Sequence, residues 1–372
     1  MSGPLNGLTV VEFTGLGPAP LAGQLLADLG ADVIAVDRKS ARADKTDINR
    51  RGKRSIAIDL KSGAGIAAVR KVIDGADVVI EGFRPGVMEK LGLGPADLHD
   101  RLVYARMTGW GQTGPLAQTA GHDINYLSLT GALSMIGAPD QPPVPPLNLV
   151  ADFGGGSMFL VFGIMAALFE RQTSGKGQVV DAAMVDGVPA MMGLLHMLFA
   201  RGHWNETRGQ NLLDGGAPFY RSYETADGKY MSVGPIEPQF FAELVQIAGL
   251  PEEDCSAQHD PTRWADMHAR YEALFKTRTR AEWTTVFEGT DACVAPVLTL
   301  REAAEHPHNT DRGIFTDFDG VLQSTPAPRF SRSQTPTVSV PRAPGADTDT
   351  VLRDAGLDDI EIAILRDAGS LT

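Results

Sequence analysis

The chain has 372 residues, enough for two lobes at the usual ~150 residues per domain. With 43% apolar and 21% charged residues, its composition is that of a folded globular protein and excludes a disordered chain. The net charge of −13 excludes a nucleic-acid binder taken whole, because phosphate contacts need a basic face.

The longest apolar run, Met158 to Phe169, is broken by Glu170 and Arg171 and falls short of the roughly 20 residues of a membrane span. The first residues lack the basic and apolar regions of a signal peptide. Two cysteines, Cys255 and Cys293, make no disulfide framework and have no metal-ligand spacing. The expectation is a cytoplasmic protein with no membrane span, no metal and no nucleic-acid partner.

Along the first hundred residues, strand and helix patterns alternate. Leu8–Phe13 reads as a buried strand, Leu21–Leu29 as a helix closed by Gly30, and Asp32–Asp37 as a second strand. Ser55–Leu60, Asp77–Glu81 and Val103–Thr108 continue the strands, with a helix at Gly65–Ile73. This alternation predicts right-handed βαβ units and a parallel sheet. Beyond Gly109 the spacing predicts a helix from Asp123 to about Met135, then the proline-rich loop Pro142–Pro146. Further helices at Gly155–Arg171 and Val188–Ala200 flank a strand at Val179–Ala183. Arg201–Gly216 reads as a linker, and a hairpin around Asp227-Gly228 opens a second lobe of helices. Residues rich in Pro, Ser and Thr over 322–347 read as a second crossing, before a helix at Asp358–Asp367.

Gly15-Leu16-Gly17-Pro18-Ala19-Pro20 follows a strand and precedes a helix, and Asp37 ends the next strand. That is most of a dinucleotide fingerprint, but Pro20 stands where the third glycine is needed. Proline suits the first turn of a helix, so the segment is read as a plain strand-to-helix turn.

Between Arg38 and Arg54 the chain carries eight basic side chains against two acidic ones, a local +6 within a protein of −13. The run lies between two strand ends of a parallel sheet, where open α/β folds bind ligands. No GxxxxGK[ST] loop accompanies it, so the expected ligand is a phosphorylated carrier such as coenzyme A rather than a hydrolysed nucleotide.

Three segments offer acid–base chemistry. Gly121-His122-Asp123 puts a histidine at a helix start, Asp152 precedes the run Phe153-Gly154-Gly155-Gly156, and Glu237 sits between Ile236 and Pro238 in the second lobe. A helix cap explains an aspartate without three glycines, which cost helix stability. Glycines there imply close approach of a ligand to bare N–H groups at a helix N-terminus.

The stretches Gly121–Tyr126, Pro146–Gly156, Gly175–Ala182, Arg208–Tyr220 and Gly234–Phe240 resemble the family III CoA-transferase group, and within it the branch that racemises 2-methylacyl-CoA thioesters. The resemblance implies an α/β fold with a Rossmann-like large domain and a small α+β domain, in an interlocked homodimer. The expected boundaries are a large CoA-binding domain over 1–200, a linker over 201–220 and a small domain over 221–321. A second linker over 322–347 and a C-terminal segment over 348–372 returning to the large domain complete the chain.

By residue match, the resemblance implies His122 and Asp152 as the two acid/base groups and Glu237 as the small-domain carboxylate that supports the imidazole. Arg38, Arg50, Arg51, Lys53 and Arg54 would bind CoA, and the helix end at Asp152, Phe153, Gly154 and Gly155 would face the thioester oxygen. The implied substrate is a 2-methylacyl-CoA thioester, with CoA as part of the substrate and no separate cofactor. The alternative is CoA transfer between carboxylic acids with Asp152 as the nucleophile.

Overall fold

Five short runs rich in buried Val, Ile and Ala, and a sixth at Val179–Ala183 whose first three residues are partly exposed, define the central sheet, as expected of parallel strands covered by helices. The strands are Thr9–Phe13 (β1), Asp32–Asp37 (β2), Arg54–Ala57 (β3), Val78–Glu81 (β4), Val103–Thr108 (β5) and Val179–Ala183 (β6). In the structure, a computed structural model describing residues 3–337 and 339–371, they pair in parallel in the order β3-β2-β1-β4-β5-β6. Met1, Ser2, Val338 and Thr372, which fall in the expected end segments and second linker, lie outside the described residues. Strand order reverses between β1 and β4, so the ligand crevice of this topology opens at the carboxyl ends of those two strands.

Helices Pro18–Asp28 (α1) and Gly63–Asp74 (α2) return the chain between strands. The Ser62 hydroxyl caps α2 by accepting from the Gly65 N–H at 2.9 Å, and Ala68, Val69, Val72 and Ile73 form the buried stripe that follows. A one-turn helix, Val87–Lys90 (α3), precedes β5. The expected helix from Asp123 to Met135 is shorter, Asp123–Leu129 (α4), because Gly131 takes φ 82° and breaks it before a single 3₁₀ turn.

The expected helix at Gly155 begins earlier and differently. Leu149–Met158 is a π-helical segment, with the Phe153 N–H donating to the Asn148 carbonyl, and it runs straight into Phe159–Ser174 (α5). The 26 residues Leu149–Ser174 are long and apolar enough to cross a membrane by length and composition, contrary to the shorter run read from sequence. The helix instead lies on the sheet, burying Leu160, Ile164, Ala167 and Leu168 against β5, β6 and α1. The expected helix at Val188–Ala200 is two, Met184–Met191 (α6) and Gly193–Ala200 (α7).

The chain forms two compact units. One comprises Met1–Thr130, Leu147–Met191 and Thr310–Thr372; the other comprises Gly131–Pro146 and Met192–Asn309. The expected boundaries are corrected at four places, the first being that the smaller unit begins at Met192, so α7 leaves the expected 1–200 domain. The proline-rich segment belongs to the smaller unit, where the Arg208 guanidinium donates to the carbonyls of Ser134 (2.8 Å), Ala138 (3.0 Å) and Gln141 (2.6 Å). The stretch read as a first linker is folded, because Asp214 accepts from the N–H groups of Gly209, Asn211 and Gly216. The return to the large unit comes at Thr310, before 322.

The smaller unit also holds Arg221–Glu224 (β7) and Tyr230–Val233 (β8), then Pro238–Ala248 (α8), Glu253–Ala257 (α9), Pro261–Phe275 (α10) and Arg280–Phe287 (α11). Val294–Pro296 (β9) completes an antiparallel sheet in the order β7-β8-β9, a third strand that sequence reading missed. Its core is aromatic, built from Phe219, Tyr223, Phe241, Tyr271, Phe275, Trp283 and Phe287. Leu300–Glu305 (α12) and Pro307–Asp311 (α13) follow.

In the larger unit, Phe315–Phe318 (β10) and Val321–Ser324 (β11) form a hairpin that Arg51 anchors, donating to Gln323 Oε1 at 2.9 Å and the Ser324 carbonyl at 2.7 Å. Thr348–Asp354 (α14) and Asp359–Asp367 (α15) then cover the β3 edge. There the Ser55 N–H meets Asp347 Oδ2 at 2.9 Å, the Asp59 N–H meets the Ser370 carbonyl at 2.9 Å, and Leu352, Ile362 and Leu365 join the core.

Candidate functional site

The crevice at the strand ends is a cavity of about 310 Å³. The turn after β1 supplies Gly15, Leu16 and Gly17, Gly82 follows β4, and Met107 to Gly109 close β5. His122 and Asp152 both line this cavity, so the structure brings together two of the three expected ionisable groups. A neighbouring cavity of about 260 Å³ shares His122, Tyr126 and Gly121 with it and adds Arg84 and Trp110.

His122 caps α4 with an exposed side chain, its own N–H donating to Asn125 Oδ1 at 3.0 Å. The ring of Tyr126, one helical turn on, is buried behind it. Tyr126 donates to the Gly121 carbonyl and meets Trp110 edge-on at 4.7 Å between centroids. Glycine is required at 109 and 121 for this packing, since a Cβ would fall 2.0 Å and 2.7 Å from the tyrosine ring. Burial, then the charge of Asp152, raises the Tyr126 hydroxyl above its ordinary range.

Asp152 is partly buried in the first turn of the π-helical segment. Burial above all, then the negative charge of Asp123, pushes its carboxyl above the usual carboxylate range; a hydrogen bond with Asn148 and the charge of His122 oppose the rise. A carboxyl shifted this way holds a proton more readily near neutrality and is suited to act as acid as well as base.

Asp123, to which sequence reading gave no role, is buried beneath the site. Its Oδ2 accepts from the N–H groups of Ala151 at 2.9 Å and Asp152 at 2.8 Å. An acidic residue opening a helix is ordinarily read as a charge on the macrodipole; only the tertiary structure reveals where its carboxylate goes.

The expected helix-end donors are corrected by these bonds. The Asp152 N–H is engaged by Asp123 and the Phe153 N–H by Asn148, so neither is directed at a ligand. The glycines serve helix packing. A Cβ on Gly155 would meet Val188 N at 2.9 Å, and one on Gly187 of α6 would meet the Gly155 carbonyl oxygen at 2.0 Å. Gly154 faces the Met191 methyl at 3.3 Å.

The basic segment is also redistributed. Arg51 is buried and paired with Asp28 at 2.6 Å, and Lys53 is buried and paired with Glu12 at 2.6 Å while donating to the Pro20 carbonyl at 2.8 Å. These two hold α1 and β1 in place and present no charge at the surface. Arg50 grips Asp37 through both carboxylate oxygens, at 2.8 and 2.6 Å, and Arg54 pairs with Asp32 and Asp354. Asp37, the fingerprint's ribose acid, is thus committed to an ion pair. Arg38 remains exposed at the end of β2. Glu237 lies in the smaller unit, exposed, immediately before α8.

Residues 5–350 match the family CoA-transferase family III. An alpha-methylacyl-CoA racemase of Mus musculus is 48% identical over 365 residues, covering 96% of this chain and 95% of the relative. The Homo sapiens protein of that name is 46% identical with the same coverage. A succinyl-CoA–D-citramalate CoA-transferase of Chloroflexus aurantiacus is 36% identical over 67% of this chain and 66% of its own length. Among solved structures, a CAIB/BAIF family protein from Brucella suis superposes with a TM-score of 0.80 at 27% identity, covering 95% of this chain and all of that one.

Proposed function

The chain belongs to CoA-transferase family III, and from that premise we propose that it works as an α-methylacyl-CoA racemase, interconverting the R and S forms of 2-methylacyl-CoA thioesters. The observation that carries the reading is the placement of two ionisable groups of different kind, His122 and Asp152, in one cavity at the sheet's switch point. Inversion at carbon needs a base on one face and an acid on the other. With one proton shared between them, the pair starts either direction: one group takes the α-proton to give the enolate, and the other returns a proton to the opposite face. The proton count and oxidation state are unchanged over a cycle, so the reaction needs no redox group, and CoA travels as part of the substrate.

Arg38 and the partly exposed Arg50 and Arg54 are the residues of the basic segment that suit the CoA phosphates. Glu237 is the group we assign to support the His122 imidazole, supplied by the smaller unit of a second copy in an interlocked homodimer. The exposed apolar stripe of α5 favours a dimer, with Phe162 at 72% and Phe169 at 75% exposure. Cys255 and Cys293, both exposed and free, suit a reducing location such as the cytoplasm.

The test is incubation of one enantiomer of a 2-methylacyl-CoA in D₂O. Loss of optical purity with deuterium uptake at the α-carbon is expected. Retention of both configuration and protium would overturn the reading, and CoA exchange onto an added free carboxylic acid would favour transfer through Asp152 instead.

A further inference from the structure

We propose that Asp123 is a positioning residue for this reaction: its buried carboxylate clamps the backbone of Asp152 and sets the electrostatic environment in which that carboxyl exchanges its proton. The inference rests on the racemase reading above. Asp123 follows His122 directly in the chain and opens α4, while its Oδ2 accepts from both Ala151 and Asp152 N–H groups, at 2.9 and 2.8 Å. One side chain therefore ties the segment bearing one acid/base group to the segment bearing the other, fixing the separation that two-sided proton transfer needs.

The second oxygen makes a plain stabilising role insufficient. Asp123 Oδ1 is buried with no hydrogen-bond partner among the described residues. An unsatisfied oxygen of a buried carboxyl is costly, and an asparagine would accept the same two N–H groups without a buried charge. What asparagine lacks is that charge. The titratable groups bearing on Asp152 are Asp123 and Tyr126 of α4 and His122 at its cap, with the Asn148 side chain as a neutral partner. Burial is the larger cause that raises the Asp152 carboxyl; among these groups Asp123 is the one whose negative charge raises it further, and Asn148 and His122 lower it. Asp123 thereby helps Asp152 to hold a proton as well as to lose it.

The test compares wild-type enzyme with Asp123→Asn and Asp123→Ala. The Asp152 carboxyl is titrated directly by ¹³C NMR in protein labelled at aspartate carboxyls, its signal assigned by loss in Asp152→Asn, and kcat/KM for racemisation is measured against pH. In Asp123→Asn, with the clamp retained, the Asp152 titration and the acid limb of kcat/KM are expected to move to lower pH. In Asp123→Ala, kcat is expected to fall on the order of 10²-fold with KM little changed, the scale of a misplaced reacting group. An Asp152 titration unmoved in Asp123→Asn overturns the proposal, even where Asp123→Ala fails to fold. A wild-type protein that does not racemise overturns the functional reading alone, because the NMR titration still reports what Asp123 does to Asp152.

Discussion

Gly17 faces Asp152 across the cavity: a Cβ added at Gly17 would stand 3.5 Å from Asp152 Oδ2. Gly17 also has φ 76° and ψ −121°, a positive-φ conformation open to glycine that costs a side-chain-bearing residue roughly 1–3 kcal/mol. Gly17→Ala is therefore expected to lose about that much stability and, in addition, to cut racemisation at least tenfold, because its methyl group would intrude on the space beside the carboxyl. Gly7→Ala is the matched control. Gly7 has φ 90° and nothing within 4 Å of its would-be Cβ, so it should lose stability alone. Equal activity losses in the two variants, at matched folded fraction, would contradict a site role for position 17.

The close approach of the π-helical segment to α6 gives a second prediction. Gly187→Ala would drive a methyl group to 2.0 Å from the Gly155 carbonyl oxygen, a backbone atom that cannot step aside. Overpacking of this kind typically costs about 1–3 kcal/mol. Gly154→Ala has milder contacts, the Leu149 carbonyl oxygen at 3.2 Å and the flexible end of Met191 at 3.3 Å. Urea unfolding should rank Gly187→Ala well below Gly154→Ala, and the reverse order would refute the packing account of the glycines.

Arg51 and Arg38 sit in one basic run yet should respond oppositely. Removing Arg51 leaves Asp28 buried and unpaired, and breaking a buried pair costs about 3–5 kcal/mol. Arg38→Ala, at an exposed position, should change stability by no more than about 0.5 kcal/mol while raising KM for acyl-CoA with kcat retained. Chemical denaturation and steady-state kinetics on the two variants decide it. A destabilised Arg38→Ala, or an Arg51→Ala with intact stability and weakened substrate binding, would reverse the assignment.

The basic run shows where sequence reading reaches its limit. Its charge is plain in the sequence, and the strand ends that bracket it follow from hydrophobic alternation. Which arginine turns outward is set by partners far along the chain, Asp28 and Gln323 for Arg51 and Asp354 for Arg54, and no local pattern encodes them. The six parallel strands were readable because short clusters of Val, Ile and Ala alternate with helical patterns, even though Glu12, Arg106 and Asp181 interrupt three of them. The strand β9, three residues with none fully buried, was not. At the site, His122 and Asp152 stood out by chemistry and neighbours. Asp123 did not, since a helix-opening aspartate is common and its inward direction comes from the packing of α4 against the π-helical segment. The glycines after Asp152 read in sequence as room for a ligand, whereas the structure gives Gly155 a packing reason of its own, with Val188 N 2.9 Å from a would-be Cβ.

The apolar stripe on α5 carries the last prediction. Phe162, Met165 and Phe169 are spaced three, four and seven apart, so they share one helix face, and all three are exposed in the single chain. Leu160, Ile164, Ala167 and Leu168 already bury the opposite face against the sheet, so the stripe has no use within the larger unit. A second copy of the chain is the partner that the proposed shared site requires. Sedimentation of the wild-type protein should give a dimer at micromolar concentration. Phe162→Asp combined with Phe169→Asp should shift it toward monomer with the fold of the sheet retained, because neither side chain is in the core. Racemisation should fall with the dimer, since in the proposed shared site each His122 would lose the Glu237 assigned to a second copy. A monomeric wild-type protein that racemises at full rate would rule out both the shared site and the role assigned to the stripe.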